Sequence, residues 1–410
     1  MRLVLKNIAG LLVVEHDPDP WVAGTDMASV NTLSDAWLVI ENGKIACFGE
    51  GEVIPFPDDE LLDCGGGLVL PAFCDSHTHL VYAGSREQEY EDKIRGLSYE
   101  EIAKRGGGIL NSARLLSLTP ENELFEQSLP RVQEIIKSGT GAVEIKSGYG
   151  LNTIDELKML RVIKRLKEET PLAIRSTFLG AHAVPAEFKS KQDKYVDLVI
   201  EEMIPAVAEE ELADYIDVFC DRGFFTEEQT GRILEAGAKF GLLPKIHANE
   251  LDFSGGVQVG VRNQARSVDH LEFVGVEELE ALKGSLTMPT ILPGASLFLG
   301  LKYAPAREII EAGLPLALAS DYNPGSSPSG NMELVMSLGI IQLKMLPYEV
   351  LNAVTRNGAY AMGLEDSHGT ITPGKVANLI ITDPMPRFGF MPYAYGSSQI
   401  NKVILNGKIQ

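Results

Sequence analysis

The chain has 410 residues, 45% of them hydrophobic and 23% charged, a composition typical of an ordinary soluble globular protein. Its formal net charge of -21 argues against nucleic acid as a partner, because binding to phosphates requires a basic surface. No stretch approaches the roughly 20 apolar residues that span a bilayer, and the first residues lack the features of a signal peptide. The four cysteines form no CxxC pair. We therefore expect a cytoplasmic protein that binds neither nucleic acid nor membrane.

The two ends of the chain resemble each other. Near the N-terminus, WLVIENGKIACFG alternates apolar and polar residues around Asn42-Gly43, a strong hairpin signal. The last residues, NKVILNGKIQ, repeat this pattern around Asn406-Gly407. Because a lone hairpin is only marginally stable in water, we predict that residues 1–66 and 366–410 together form one small β-sandwich domain.

The middle of the chain, residues 67–365, alternates short apolar strands with helical stretches, the pattern of parallel βα units. The predicted strands are 68–75, 141–147, 172–181, 215–220, 243–248, 265–271, 286–292 and 314–320. Eight successive strands predict an α/β fold, a (β/α)8 TIM-like barrel. The alternative is an open doubly wound sheet, but no GxGxxG motif follows the first strand.

Polar residues follow the predicted strands at the points where these end. Five of the seven histidines lie there, namely His77, His79, His182, His247 and His270, whereas His16 and His368 lie elsewhere. A single histidine at such a position is more often a packed core or surface residue. Since the carboxyl ends of barrel strands converge on one mouth, five together are difficult to explain by packing.

His77 and His79 are two positions apart on a strand, so their side chains point to the same face. Two imidazoles on one side can bind one ion, and His247 with Asp321 would complete a set of three nitrogens and one oxygen. We therefore predict one divalent or trivalent metal ion, zinc or iron, at these four residues. The glycine-rich stretch 104–110 lacks the GK[ST] ending of a phosphate loop, and we expect a mobile loop over the mouth.

Two charged residues stand close to these ligands in the sequence. Glu250 follows His247 by three positions and is placed to carry protons without binding the metal, the alternative being a solvated loop carboxylate. Arg86 offers a planar fork that can bind a carboxylate through two hydrogen bonds. The alternative for Arg86 is a surface ion pair with Glu87 or Glu89.

These residues also carry a resemblance to a known family. HTH after the first barrel strand, a histidine in mid-barrel and an aspartate after the last strand resemble the amidohydrolase superfamily. The segments FCDSHTHLVYAGSRE, EIKSGYGL, TFLGAHAVP, KIHANE, DHLE and SDYNPGSSP resemble those of the imidazolonepropionase family, in order and across essentially the whole chain. SREQEY and DYNPGSSP are the most specific of them. Asn249, within the HxxE segment, is a small departure at a position without an assigned role.

The resemblance implies a hydrolase that uses water to open the ring of 4-imidazolone-5-propanoate, giving N-formimidoyl-L-glutamate in L-histidine degradation. It implies one zinc or iron ion on the four predicted ligands, and a homodimer. The implied substrate contacts are Arg86, Tyr149, His182, Glu250, Asn323, Gly325 and Ser326. Glu250, His270 and Asp321 are the implied catalytic residues, and which of them accepts the first proton stays open.

Three alternatives fit the sequence less well: a binuclear metal site, a nucleobase deaminase and a non-catalytic scaffold. Binuclear amidohydrolases usually bridge two metals with a lysine after the fourth strand, where IDVFCDRGF has none, so Lys146 on the second strand is expected to support the site. A nucleobase deaminase would share the metal ligands, but Arg86 and Tyr149 suit an anionic imidazolone better. A non-catalytic scaffold on this fold would have lost metal ligands, and none of the four is missing.

Overall fold

The chain folds around two sheets, one built from its ends and one from its middle. The computed structural model describes residues 2–96 and 108–410. Within these ranges the strands are β1 Arg2–Leu12, β2 Thr32–Glu41, β3 Lys44–Glu50, β4 Glu60–Asp63, β5 Leu68–Pro71, β6 Phe73–Thr78, β7 Thr140–Lys146, β8 Ala173–Ala181, β9 Tyr215–Cys220, β10 Leu243–Ala248, β11 Ser267–His270, β12 Met288–Ile291, β13 Ala317–Leu318, β14 Leu379–Thr382, β15 Ile400–Leu405 and β16 Lys408–Ile409.

The helices alternate with the strands of the middle region. Within the same ranges they are α1 Glu87–Ile94, α2 Ile109–Leu118, α3 Glu121–Lys137, α4 Thr153–Glu169, α5 Gln192–Leu198, α6 Ile204–Glu209, α7 Glu227–Ala238, α8 Gly256–Arg262, α9 Val276–Leu282, α10 Pro293–Leu299, α11 Ala306–Glu311, α12 Met332–Ile341, α13 Pro347–Val354, α14 Arg356–Ala361 and α15 Phe390–Tyr393. Short 3-10 segments occupy Gly24–Ala28 and Ala186–Phe188, and a π-helical turn, Val199–Met203, joins α5 to α6. Of the helices described, each is too short or too polar to cross a lipid bilayer.

Helix α4 shows how the local sequence sets the bounds of an element. Its first turn is capped by Asn152, whose side chain accepts a hydrogen bond from the backbone N–H of Asp155 at 3.0 Å. Apolar residues at helical spacing, including Ile163 and Leu166, are fully buried against the barrel. The helix ends just before Thr170, which precedes a proline and is therefore disfavoured in the helical conformation.

The terminal strands form one continuous sheet in the order β16-β15-β14-β5-β1-β2-β3, with β4 also paired to β1. Asn42 and Asn406 have left-handed φ angles of 51° and 52°, and each is followed by a glycine, as the predicted hairpin turns require. Side chains from β1, β2, β14 and β15, among others, pack into a core separate from that of the barrel. A second sheet built from both chain ends is thus present as predicted.

The strands from β6 to β13 form an eight-stranded sheet in sequence order, and each neighbouring pair is parallel. Two backbone hydrogen bonds join its ends: Asp321 N–H donates to His77 O at 3.0 Å, and His79 N–H donates to Tyr322 O at 2.9 Å. The sheet therefore closes on itself, and the predicted (β/α)8 fold is confirmed.

The first predicted strand, 68–75, was wrong as a single element. It divides at Ala72, whose N–H donates to Asn378 O at 2.9 Å in the terminal region, whereas the N–H of Phe73 donates to Gly139 O at 2.9 Å in the barrel. An uninterrupted apolar run does not reveal which sheet each half joins, because both halves are buried. The terminal sheet consequently extends to Pro71, and the domain boundary after residue 66 stays a prediction.

Candidate metal centre and active site

A cavity of about 590 Å³ opens at the carboxyl ends of the barrel strands. It is lined by His79, Arg86, Ile109, Tyr149, His182, Phe219, Phe224, His247, Glu250, Leu251, His270, Leu299, Leu301, Asp321, Asn323, Gly325 and Ser326. All the residues that the sequence analysis assigned to the site line this cavity except His77, which is fully buried behind it. The barrel thus brings together groups that are far apart in the sequence.

The three predicted histidine ligands come together at the bottom of the cavity, and the predicted aspartate lies beside two of them. Nε2 of His247 lies 3.1 Å from Nε2 of His77 and 3.3 Å from Nε2 of His79. Oδ1 of Asp321 lies 3.7 Å from Nε2 of both His77 and His79. Two nitrogens bound to one tetrahedral zinc ion are about 3.3 Å apart. The spacing of Nε2 of His247 from Nε2 of His77 and of His79 therefore matches that of ligands around one ion, and Asp321 lies slightly farther out.

The protons of the three imidazoles point away from this centre. Nδ1 donates to an oxygen in each case: His77 to Oδ2 of Asp269 at 2.6 Å, His247 to Oδ2 of Asp217 at 3.0 Å, and His79 to the backbone oxygen of Ser147 at 3.4 Å. Burial lowers the pKa of His77 and of His79 well below the usual value, so both are neutral and carry a single N–H. The Nε2 lone pairs of His77 and His79 then face the centre, beside Nε2 of His247, an arrangement that fits a divalent metal ion.

His270 also lies close to the predicted metal ligands. A ring nitrogen of His270, one of His77 and a carboxylate oxygen of Asp321 all lie within 4.8 Å of one another. Nδ1 of His270 lies 3.6 Å from Oε2 of Glu250 and 4.0 Å from Oε2 of Glu272. Since Nδ1 has no hydrogen-bond partner within the described part of the chain, His270 retains a nitrogen available to a water or substrate.

Glu250 and Glu272 form a pair of buried carboxylates beside His270. Burial raises the pKa of Glu250 well above its usual value, and the carboxylates of Glu272 and Asp321 add to this effect. Burial also raises the pKa of Glu272 to about 8, against a hydrogen bond from Ser296 Oγ at 2.8 Å. A carboxyl group that holds its proton at neutral pH can donate it to a leaving group.

Backbone strain concentrates at this site. Asn249, His270 and Asp321 have φ angles of 57°, 84° and 55°, a left-handed region that side chains other than glycine and asparagine rarely adopt. Asn249, the small departure within HxxE, suits this conformation, and its side chain donates to Phe273 O at 2.9 Å. Its backbone geometry turns the chain so that His247 and Glu250 both face the cavity.

Arg86 lines the cavity but is already paired. Its Nε and Nη2 atoms both donate to Oε2 of Glu89, at 2.8 and 2.7 Å, so the ion pair that the sequence offered as the alternative role of Arg86 is present. The remaining Nη1 packs against Gly325, where an added Cβ would lie 2.1 Å from it. Of the guanidinium nitrogens, Nη1 is therefore the one left for a ligand on the cavity side.

The turn after Asp321 is held by its own side chains. Oδ1 of Asn323 accepts hydrogen bonds from the backbone N–H groups of Gly325 and Ser326, each at 2.8 Å. Oγ of Ser326 donates to Oδ2 of Asp321 at 3.1 Å, and His182 donates through Nδ1 to Gly148 O at 3.0 Å. Asn323 and the N–H of Gly325 thus serve the turn itself, and their contacts with substrate stay predictions. Of the stretch 104–110, predicted to form a loop over the mouth, residues 104–107 lie outside the described part of the chain.

Four buried charged residues beneath the ligands were missed in the sequence analysis. Asp217 and Asp269 orient two of the histidines, and Glu144 and Lys245 fill the barrel interior below them together with Lys146, which was expected to support the site. A signal was available: each aspartate is the one charged residue before the end of a short apolar strand, YIDVFC and SVDH. An acidic residue in a strand buried on both faces requires a partner inside the barrel.

Comparison with known proteins agrees with this geometry. Residues 68–410 match the Amidohydrolase family, so the chain belongs to that family. In solved structures, the chain is similar to 5-methylcytosine deaminase from Klebsiella pneumoniae, at 18% identity and a TM-score of 0.73, covering 98% of this chain and 97% of that one. It is also similar to guanine deaminase from E. coli, at 15% identity and a TM-score of 0.71, covering 100% and 99%. At these identities the likeness shows the fold alone.

Comparison with curated relatives shows to which family within the amidohydrolases the chain belongs. The chain is 56% identical over 410 residues to imidazolonepropionase from Christiangramia forsetii, covering 100% of both chains. It is 54% identical to imidazolonepropionase from Flavobacterium johnsoniae, again over the whole of both, and 42% identical to that of Alkaliphilus oremlandii, over 99% and 97%. Within the amidohydrolases, the chain is a hydrolase and belongs to the imidazolonepropionase family.

Proposed function

We propose that the chain hydrolyses 4-imidazolone-5-propanoate to N-formimidoyl-L-glutamate, a ring-opening step of L-histidine degradation. The observation that carries this proposal is that three of the ligands, His79, His247 and Asp321, line the same cavity as Glu250 and Arg86. One cavity thus combines hydrolytic groups with a cation suited to a carboxylate tail. The name shared by the full-length relatives supports the same reaction.

The proposed ion is one zinc or iron ion on His77, His79, His247 and Asp321. When bound, such an ion lowers the pKa of a water molecule to about 7 and supplies hydroxide at neutral pH. The residues around it have separate tasks. Asp217 and Asp269 keep the imidazole protons on the far side of their rings, and the apolar side chains of Phe219 and Leu299 exclude bulk water from the cavity wall.

Glu250 is the proposed proton carrier. In the reaction, the water oxygen bonds to the ring carbonyl carbon, the adjoining carbon–nitrogen bond breaks, and the departing nitrogen takes a proton. A buried, protonated carboxyl group in the cavity can deliver its proton to that nitrogen and take the proton of the water in its place, a role worth about 10²–10⁴-fold in rate. His270, through the free Nδ1 beside Glu250, is proposed to orient the water. Asp321 could share the base role, and the first acceptor stays open among these three.

Arg86 is proposed to bind the propanoate group. The guanidinium is on the cavity wall, and its Nη1 faces the turn at Gly325. A substrate carboxylate would displace Glu89 from Arg86 or bind Arg86 together with it. A hydrogen bond between a guanidinium and a carboxylate is stronger than one between neutral groups. Tyr149, His182, Asn323, Gly325 and Ser326 are proposed to contact the ring and its tail from the other walls.

The test is a direct assay on purified, metal-analysed protein. With imidazolonepropanoate as substrate, we expect loss of the ring chromophore and formation of formimidoylglutamate in equal amounts. Cytosine and guanine serve as alternative substrates in the same assay. Release of ammonia from either base without ring opening would favour a deaminase, and metal-free protein without any hydrolysis would favour a scaffold. The cytoplasmic location and the homodimer stay proposals, the latter open to light scattering.

A further inference from the structure

Two lysines lie fully buried inside the barrel, below the metal centre. Lys146 on β7 and Lys245 on β10 both bind the carboxylate of Glu144. Lys146 contacts Oε1 at 2.5 Å, and Lys245 contacts Oε2. A lysine in a protein interior requires carboxylates or carbonyl oxygens around it, because an isolated buried charge is very costly. Both lysines meet this requirement: they share Glu144 but differ in their other partners.

Lys146 alone reaches both of the aspartates that orient histidines, within the described part of the chain. Its Nζ lies 2.8 Å from Oδ2 of Asp217 and 3.7 Å from Oδ2 of Asp269. These same oxygens accept the Nδ1 protons of His247 and His77. One ammonium group therefore contacts both carboxylates that orient metal ligands, through a hydrogen bond to Asp217 and a longer ion pair with Asp269.

We propose that Lys146 is a positioning residue for the metal: its single ammonium group fixes the carboxylates of Asp217 and Asp269, and through them the Nδ1 protons and ring orientations of His247 and His77. The ammonium holds both carboxylates in place as acceptors. With Lys146 removed, an aspartate would be free to rotate away from its histidine. The histidine would then lose the fixed tautomer in which Nε2 faces the metal.

The electrostatics of the network agree with this role. Burial alone would lower the pKa of Lys146, but the carboxylates of Asp217, Glu144 and Asp269 raise it above the ordinary lysine value. Burial would raise the pKa of Asp217, yet His247 and Lys146 hold it well below its usual range. Burial raises the pKa of Asp269, although the charges of Lys245 and Lys146 act against this shift.

Lys245 provides a matched control. It is as buried as Lys146, and its Nζ binds Glu144 and the backbone oxygens of Ser76 and Ala361, both at 3.2 Å. Both lysines exert a positive field on Asp269, that of Lys245 being the larger, so replacing Lys245 reproduces the loss of one buried charge. It does not remove a direct contact with Asp217.

The experiment measures zinc affinity of the full-length chain by competition with a chromogenic chelator. For Lys146→Met we expect a dissociation constant about 10–100-fold above that of the unmodified chain, the range found when an orienting partner is lost. For Lys245→Met we expect less than a tenth of that increase. Circular dichroism and urea unfolding are recorded for both variants, since both should be less stable. Equal affinities for Lys146→Met and the unmodified chain, or equal losses in the two variants, would overturn the proposal.

A charge-balanced variant covers the case in which Lys146→Met does not fold. Lys146→Met with Asp269→Asn removes one cation and one anion together. It should bind zinc at least about tenfold more weakly than Asp269→Asn alone, because Asp217 also loses its cation; equal affinities would reject the role of Lys146. The inference rests on the proposed metal site, and different results would contradict the metal site and the role of Lys146. Absence of zinc binding by the unmodified chain contradicts the site, whereas binding unaffected by Lys146 contradicts only the inference.

Discussion

Nδ1 of His77 lies 2.6 Å from Oδ2 of Asp269, although 192 residues separate the two along the chain. The aspartate does not face the cavity, and it acts by holding the imidazole proton on the side away from the metal centre. The same relationship joins His247 to Asp217 at 3.0 Å. The chemistry expected of this site thus depends on carboxylates that never meet the substrate.

Metal removal should lower thermal stability. At a free metal concentration 1,000-fold above Kd, binding to the folded state adds about 4 kcal/mol to the free energy of unfolding. We expect Tm, measured by calorimetry, to fall after dialysis against a chelator and to recover with zinc. His79→Ala should abolish this recovery, whereas His16→Ala, at an exposed position after β1, should retain it. A full zinc-dependent rise in His79→Ala would contradict the ligand assignment.

Glu250→Gln should separate proton transfer from metal binding. The amide keeps the size of the side chain but cannot carry a proton, so kcat should fall about 10²–10⁴-fold while metal content stays near one ion per chain. Glu278→Gln is the control, since Glu278 is also buried but caps α9 by accepting from Gly275 N–H at 2.9 Å. Its kcat should be unchanged. Loss of metal from Glu250→Gln would instead make Glu250 a ligand.

Arg86→Lys should raise KM for imidazolonepropanoate by at least about tenfold, because an ammonium cannot match the planar fork of a guanidinium. The charge is preserved, so a long-range electrostatic effect would leave KM nearly unchanged. Arg95→Lys is the matched control in the same region, as Arg95 is exposed and pairs with Glu91 at 3.2 Å. KM is measured for both variants by steady-state kinetics. Equal KM values would mean that Arg86 pairs with Glu89 and does not bind the substrate.

Gly325→Ala should disturb the contact between Arg86 and the substrate from the side of the turn. The added methyl group would lie 2.1 Å from Nη1 of Arg86, and the flexible end of that side chain would move rather than the backbone. We expect little change in Tm but a rise in KM comparable to that of Arg86→Lys. Gly231→Ala, within α7 with its nearest neighbour at 3.9 Å, should leave KM unchanged and stabilise the helix by about 0.5–1 kcal/mol. An unaltered KM in Gly325→Ala would mean that Arg86 need not occupy this position.

His368 should make stability fall in mild acid. Burial, with a smaller effect of the Lys375 charge, lowers the pKa of His368 to about 4, from 6.5 in the unfolded chain. Between these values the unfolded chain takes up a proton that the folded chain does not. The stabilising contribution is therefore complete above pH 6.5 and is lost as the pH falls to 4, a change of about 3 kcal/mol.

Urea unfolding of the metal-free chain from pH 6.5 to 4 tests this expectation. His368→Gln should show a shallower decline in the free energy of unfolding than the unmodified chain, whereas His16→Gln at an exposed position should not. The same decline in all three would assign the acid sensitivity to other groups.

Much of the site could be predicted because its residues mark the ends of strands. His79, His247 and Asp321 are next to short apolar runs, and closure of the barrel alone brings them to one mouth. The division of the first predicted strand at Ala72 could not be predicted, since hydrophobic periodicity reports burial and not which sheet a segment joins. The last strand, predicted at 314–320, is reduced to Ala317–Leu318 for a related reason: buried residues beside a strand need not pair with it.

The contacts between charged side chains were harder to predict than the positions of the site residues at the strand ends. The pairing of Arg86 with Glu89 was one of two alternatives, because a helical spacing of three permits the contact without requiring it. The shared use of Lys146 by Asp217 and Asp269 depends on three strands meeting inside the barrel, information that no local pattern contains.

The closure of the barrel has a consequence for the order of folding. The seam between β6 and the residues after β13 is tied by Asp75 and Ser320, 245 residues apart, and the backbone of Asp321 is bonded to that of His77 in the same seam. During synthesis the ligands His77 and His79 emerge early. The set of ligands is complete only when the last barrel strand has docked. Tight metal retention would therefore report that the barrel is complete, and a chain arrested before residue 321 should release its ion.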